Sequence, residues 1–329
     1  MAEPLLSLRD VTVEFPTRRG TLRALDGVSF DIAPGEILGV VGESGAGKSM
    51  TGAAIIGLID PPGRIARGEI RLTGERIDNL PQEKMRLVRG RRIGMVFQDP
   101  LTSLNPLYTV AEQLVETIRT HMPLSEADAR KRAIDLLNDV GIPAAERRID
   151  DYPHQFSGGM RQRVVIALAL SADPELVIAD EPTTALDVSV QAQIIAILKR
   201  LCTERGASVM LITHDMGVIA ETADRIAVMY SGRIAEIGPV RDVVKAPKHP
   251  YTVGLMGSIP TLTGETDRLA QIAGSMPRLS AIPTGCAFNP RCERVFDRCR
   301  HERPELIDVE RSRAACWLYG SAGASEAAE

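Results

Sequence analysis

The octapeptide Gly42-Glu43-Ser44-Gly45-Ala46-Gly47-Lys48-Ser49 constrains this chain more than any other stretch. It follows the apolar run Ile37-Leu38-Gly39-Val40-Val41 and precedes a helix-compatible stretch through Leu58. A buried strand, a glycine loop closing on Lys-Ser and a helix together satisfy the G-x-x-x-x-G-K-[ST] pattern in the setting it requires, which reads as a phosphate-binding loop. The glycines let the backbone turn tightly and set successive N–H groups against phosphate oxygens, at a helix start whose unpaired donors already favour an anion. Lys48 is placed to reach β- and γ-phosphates, and the Ser49 hydroxyl to ligate Mg²⁺. The competing reading, a glycine-rich turn with no ligand, has the flanking pattern against it.

The 329 residues allow one large domain with an appendage, or two domains, and 44% hydrophobic with 25% charged residues is ordinary for a water-soluble globular chain. No apolar run approaches the roughly 20 residues that span a bilayer. Met1 to Leu8 has neither a basic nor an apolar leader region, so a cytoplasmic protein that docks on a membrane protein is expected. A formal charge of −4 gives no support to a general affinity for nucleic acid.

Around the loop the sequence reads as an α/β chain. Leu6 to Phe15 and Ala24 to Ile32 are strand-like runs of a small sheet, and Phe15 is either an adenine-stacking ring or a core aromatic. Gly68 to Gly74 is a short alternating strand, and Ile93 to Phe97 is a buried-type strand ending at Gln98, where α/β sheets place ligand groups. Thr109 to Arg119 and Glu126 to Val140 have helical spacing, with Ser125 as a cap and Gly141 as a stop. Ser157-Gly158-Gly159 opens a further helix through Val164 to Ala172 and forms a second anion site by the same logic of free N–H groups. Leu176 to Glu181 is an apolar strand ending in two acids. Asp180 is placed to hold Mg²⁺ and Glu181 to polarise an attacking water. After an amphipathic helix from Val190 to Leu201, the strand Val209 to Thr213 ends at His214, and Ile226 to Tyr230 with Ile234 to Ile237 reads as a hairpin.

This ordered set resembles the nucleotide-binding subunit of ABC transporters over about residues 5 to 240. The matching motifs are Walker A at Gly42 to Ser49, the Q-loop at Gln98, the signature Phe156 to Met160, Walker B at Leu176 to Asp180 with Glu181, the D-loop Ala185-Leu186-Asp187 and the switch His214. The resemblance implies a P-loop NTPase (RecA-like) core with an antiparallel β subdomain and a helical subdomain at about 99–163. It implies ATP with Mg²⁺ at Ser49, Gln98 and Asp180, and catalytic roles for Glu181, His214 and Lys48. It also implies a second ATPase subunit, identical or homologous, whose ATP is closed by Ser157, Gly158 and Gly159. The commoner signature is Leu-Ser-Gly-Gly-Gln; Phe156 and Met160 depart from it but leave the Ser-Gly-Gly donors intact.

Gln98 to Pro106, His249-Pro250-Tyr251-Thr252, Ser258-Ile259-Pro260 and Pro283 to Cys292 look like the oligopeptide/dipeptide importer branch. That resemblance implies import of a peptide or related small solute, two membrane permeases, an extracytoplasmic solute-binding protein and a peripheral place on the cytoplasmic face of the membrane. Expected boundaries are an ATPase domain over 1–248, a C-terminal extension over 249–320 and a frayed tail over 321–329. Nickel or glutathione import, an ABC ATPase acting on nucleic acid or the ribosome, and a regulatory subunit without hydrolysis are the alternatives. Intact Lys48, Asp180, Glu181 and His214 favour hydrolysis, and no second ATPase unit or long coiled coil points to the ribosome.

Four of the five cysteines, Cys286, Cys292, Cys299 and Cys316, lie beyond residue 285 with the form C-x5-C-x6-C-x16-C. A reducing cytosol disfavours disulfides, and the spacing matches neither common zinc nor ferredoxin patterns. Arg291, Arg294, Arg298 and Arg300 are expected to surround the thiols and favour thiolates. The family resemblance turns the reading towards a [4Fe-4S] cluster, with zinc or unligated thiols as alternatives. Cys202 reads as ordinary packing.

Overall fold

The strand Ile37–Val41 is buried at every residue, as expected of a strand covered on both faces. In the computed structural model, which describes residues 3–18, 20–183, 187–258 and 271–319, it leads directly into the glycine loop and the helix Lys48–Ile55. Three of the expected features, Ala185-Leu186 of the D-loop, Ile259-Pro260 and the tail 321–329, lie outside the described residues. The chain divides into one unit of Ser7–Asp31, Leu38–Arg71 and Thr213–Glu329, and another of Met1–Leu6, Ile32–Ile37 and Leu72–Ile212.

In the unit that carries the glycine loop, Ile37–Val41 runs parallel to Arg225–Tyr230, with Leu38 opposite Arg225 and Val41 opposite Val228. Arg225–Tyr230 turns back through Ser231 and Gly232, at φ 47° and 76°, into the antiparallel Arg233–Pro239. Two successive left-handed residues match the twist of a tight hairpin, and Gly232 meets the requirement without strain. Beyond it the short hairpin Ile307–Val309 and Ser312–Ala314 adds to the same sheet, Ala314 facing Glu236. In the smaller sheet, Gly20–Ile32 and Arg64–Leu72 flank Leu6–Thr17. Arg64–Leu72 begins four residues earlier than its alternation suggests, because its first half is largely exposed and polar and carries no buried face to read.

In the other unit, Leu176–Asp180 is the middle of three parallel strands, with Ile93–Val96 on one side and Ser208–Ile212 on the other. Its helices begin and end on local chemistry. Thr109 and Glu112 form a reciprocal capping box on Val110–His121, and Ser125 accepts from the Asp128 N–H at the start of Glu126–Asp139. Gly141 (φ 77°) and Gly206 (φ 69°) terminate Glu126–Asp139 and Val188–Arg205 in the left-handed conformation that glycine accepts. Ser157 caps Gly158–Leu170, which therefore starts well before its apolar stretch.

Candidate functional site

At two of its glycines the loop leaves no room for a side chain. Gly42 (φ 152°) lies so close to the neighbouring strand that a Cβ there would come within 2.3 Å of the Met229 carbonyl oxygen. Gly47 (φ 103°) caps the helix, and a Cβ there would meet Leu25 at 2.9 Å. The Gly232 N–H donates to the Ala46 carbonyl at 2.8 Å, so the hairpin turn supports the loop from beneath. Lys48 is buried, and its Nζ donates to the carbonyls of Gly42 (2.9 Å) and Glu43 (3.1 Å), which holds the ammonium over the loop. Ser49 follows it in the first turn of Lys48–Ile55, with Ser44 and Gly45 at the exposed tip of the loop.

Two contacts to this loop escaped the sequence. The Glu43 N–H donates to the hydroxyl of Tyr251 at 2.9 Å, and the Glu43 carboxylate receives Arg291 Nη1 at 3.0 Å on both oxygens. The His-Pro-Tyr-Thr motif was the available signal for Tyr251. Arg291 gave none, since its place among the cysteines pointed elsewhere. Phe15 is half-buried on Leu6–Thr17 and packs against Gly63, where a Cβ would fall 2.5 Å from its ring. His214 is exposed just after Ser208–Ile212. Thr213 beside it donates its N–H to Val40, and Asp215 caps Met216–Thr222 by accepting from Gly217 and Val218.

Asp180, Glu181, Gln98, the Ser157 segment and Asp187 belong to the other unit. Asp180 ends the strand Leu176–Asp180 and is buried. Glu181 follows in the left-handed region at φ 45°, an uncommon conformation for a residue with a Cβ and one concentrated at functional sites. Gln98 lies two residues past Ile93–Val96, exposed, and its Nε2 donates to Glu181 Oε2 at 3.1 Å. The sequence named both residues without pairing them. Ser157 is exposed at a helix start with Gly158 and Gly159 behind it, and Val190 would lie 2.9 Å from a Cβ at Gly159. The two departures from the commoner signature are packed by one arginine. Arg148 sits 5.2 Å from the centroid of the buried Phe156 ring and donates to Met160 Sδ at 3.2 Å. Asp187 is exposed at the N-cap of Val188–Arg205.

Cys286, Cys292, Cys299 and Cys316 line one small cavity, and none is in a disulfide. Backbone N–H groups of Phe288 and Asn289 bond to Cys286, of Arg294 to Cys292 and of Leu318 to Cys316. The charge of Arg294 favours the Cys292 thiolate as expected, but burial outweighs it and raises that thiol. Burial pushes the Cys286 thiol up to about 11 and Cys316 to about 12. The guanidinium groups are engaged elsewhere, Arg291 on Glu43 and Arg298 on Glu302 and the Trp317 ring, leaving Arg294 as the one of the four at the cavity. Among the described residues no three His, Cys, Asp or Glu side chains converge as a single metal ion requires. Cys202 is buried and raised to about 12 by that burial, consistent with packing.

A parallel strand, a tightly turned glycine loop and a lysine held over it define a P-loop nucleotide-binding protein. The ABC transporter family pattern matches residues 25–184, and the pattern of the oligopeptide/dipeptide transporter C-terminal region matches residues 235–299. The oligopeptide transport ATP-binding protein AppD of Bacillus subtilis is 44% identical over 98% of this chain and 99% of its own. The dipeptide transport ATP-binding protein DppD of Escherichia coli is 46% identical over 92% of each. Among solved structures, an ATP-binding cassette captured as a dimer with ADP and Pi superposes with a TM-score of 0.65 at 31% identity, covering 72% of this chain and 99% of that one. The chain belongs to the ABC transporter ATP-binding proteins, in the oligopeptide/dipeptide branch, and carries the ABC ATPase fold.

Proposed function

We propose that this protein hydrolyses ATP to drive import of di- or oligopeptides, or a related small solute, through separate membrane permeases. The observation that carries this reading is the Gly42 to Ser49 loop with Lys48 held over it, in a chain close over most of its length to ATP-binding proteins named for peptide transport. In this reading the loop amides and Lys48 hold the phosphates, Ser49, Asp180 and Gln98 serve Mg²⁺, and Phe15 lies against the adenine. Glu181 polarises the attacking water, and His214 bonds the γ-phosphate. The Gln98 Nε2 donates to Glu181, which leaves Oε1 of the same amide as the atom that would serve Mg²⁺ or its water. Ser157 and Gly158, exposed at a helix start, and the half-buried Gly159 suit the ATP held by a second ATPase subunit, with Asp187 at the same junction. No helix among the described residues is long and apolar enough to cross a membrane, which agrees with peripheral attachment at the cytoplasmic face.

The four cysteines are assigned to a [4Fe-4S] cluster, with zinc as the alternative, on the family resemblance. All four line one cavity with backbone donors on three sulfurs, although no three of them among the described residues are gathered as a metal site. Such a cluster would brace the C-terminal segment, since ATP hydrolysis needs no redox centre. Domain limits of 1–248, 249–320 and 321–329 remain part of this proposal.

The deciding experiment expresses tagged Glu181→Gln in the native cells, extracts it in mild detergent with ATP and Mg²⁺, and identifies what co-purifies. Two permeases, a second ATPase and a solute-binding protein are expected. Ribosomes or nucleic acid without permeases would overturn the reading. In the assembled complex Lys48→Ala should lose ATP binding, and Glu181→Gln should bind ATP yet turn over at least about 100-fold more slowly. Normal turnover in Glu181→Gln would remove Glu181 from its assigned role.

A further inference from the structure

Arg291 spends every nitrogen of its guanidinium. Nε donates to the Ala273 carbonyl at 2.8 Å, Nη2 to Ile272 and Gly274 at 3.4 Å, and Nη1 to both Glu43 oxygens at 3.0 Å and to the Tyr230 hydroxyl at 3.4 Å. Its side chain is 6% exposed, and it sits one residue before Cys292. Tyr251, fully buried, enters from Pro250–Gly257, a helix capped by His249 Nδ1 accepting from the Tyr251 N–H. The His249 N–H in turn donates to the buried Glu236 at 2.8 Å. Tyr230, Tyr251 and Phe288 pack ring against ring, so neither the hydroxyl nor the guanidinium can move without disturbing that cluster.

Both anchors therefore end on one residue of the phosphate loop, one on its backbone and one on its side chain. We propose that Tyr251 and Arg291 are positioning residues that hold the loop at Glu43 in its anion-binding conformation, so that nucleotide affinity depends on the state of the cysteine-bearing C-terminal segment. The physical reason is that Glu43 stands between Gly42 and the loop tip. A free Glu43 peptide can rotate, and rotation there redirects the following N–H groups away from a shared phosphate centre. Arginine suits the role better than lysine, since a planar fork can hold a carboxylate and three carbonyls at once. The inference rests on reading Gly42 to Ser49 as the ATP loop.

The test uses the full chain and measures the ATP·Mg²⁺ dissociation constant, with melting temperature without nucleotide recorded in parallel. Wild type and Lys48→Ala frame the assay: ATP binding by wild type that Lys48→Ala loses validates the loop reading on its own. Arg291→Ala, Glu43→Gln and Tyr251→Phe should each raise the constant roughly fivefold or more, and the double variant Arg291→Ala/Glu43→Gln should be no weaker than the worse single variant. Arg291→Lys should recover only part of the loss. Unchanged affinity in folded Arg291→Ala, or additive losses in the double variant, would overturn the proposal while leaving the loop reading intact. Should Arg291→Ala fail to fold, Arg291→Lys and Tyr251→Phe decide, and wild-type affinity in both would overturn it.

Discussion

Asp26 lies beneath two guanidinium groups, and its fate illustrates how much a single side chain can settle. Arg233 bonds its carboxylate through Nε (3.1 Å) and Nη2, while Arg303 reaches both the carboxylate (3.3 Å) and the backbone carbonyl (3.0 Å). Burial by itself would raise this carboxyl. The bond from Arg233 and the charges of Arg233, Arg303 and Arg23 outweigh it and hold the group below its ordinary 3.8. Asp26→Asn should therefore cost about 2 kcal/mol by chemical denaturation near neutral pH, less than a fully buried pair would because Arg303 is partly exposed. A carboxyl held low in the folded state contributes stability above its unfolded value, lost as pH falls through the folded one. The gap between wild type and Asp26→Asn should accordingly stay constant down to about pH 4 and narrow below it. A constant gap at lower pH would show that the carboxylate is not the source. None of this was legible in the sequence, because the three residues come from positions 26, 233 and 303 and no pattern joins them. The places of Lys48 and Asp180 at a helix start and a strand end were legible, since each stands in a local motif whose spacing is set by one strand end.

At the scale of elements, boundaries followed caps where the cap chemistry was local. Thr109 and Glu112 satisfy each other's backbone N–H at the start of Val110–His121, and Ser125 does half of the same for Glu126–Asp139. Thr109→Ala should lower stability by about 1 kcal/mol, read as an earlier denaturant midpoint with an unchanged slope. The strand Arg64–Leu72 and the hairpin Ile307–Val309 with Ser312–Ala314 went unread or were read short. Their faces are partly solvated, so alternation is weak, and their pairing depends on strands far away in the chain. The signature segment shows the reverse. Phe156 and Met160 looked like departures from a pattern, yet both are accounted for by Arg148, from a helix that sequence spacing did not reveal.

For the molecule as a whole, the C-terminal segment is the part whose purpose depends most on tertiary contact. Its four cysteines line one cavity, and its Tyr251 and Arg291 end on the phosphate loop. Protein purified without oxygen should be brown and carry about four iron atoms per chain, measured by metal analysis alongside its visible spectrum. Colourless protein with one zinc per chain would replace that assignment. The sequence by itself determined the class of chemistry, because a phosphate loop, a strand ending in paired acids and a Ser-Gly-Gly helix start are each written within a few consecutive residues. Only the tertiary structure decided what holds those pieces in place. The bond from Gln98 to Glu181, the burial that raises the Cys286 and Cys316 thiols, and the grip of Tyr251 and Arg291 on Glu43 all join residues tens to hundreds of positions apart. Which of many polar groups meet after such long loops close is settled by packing and burial, which local spacing does not encode.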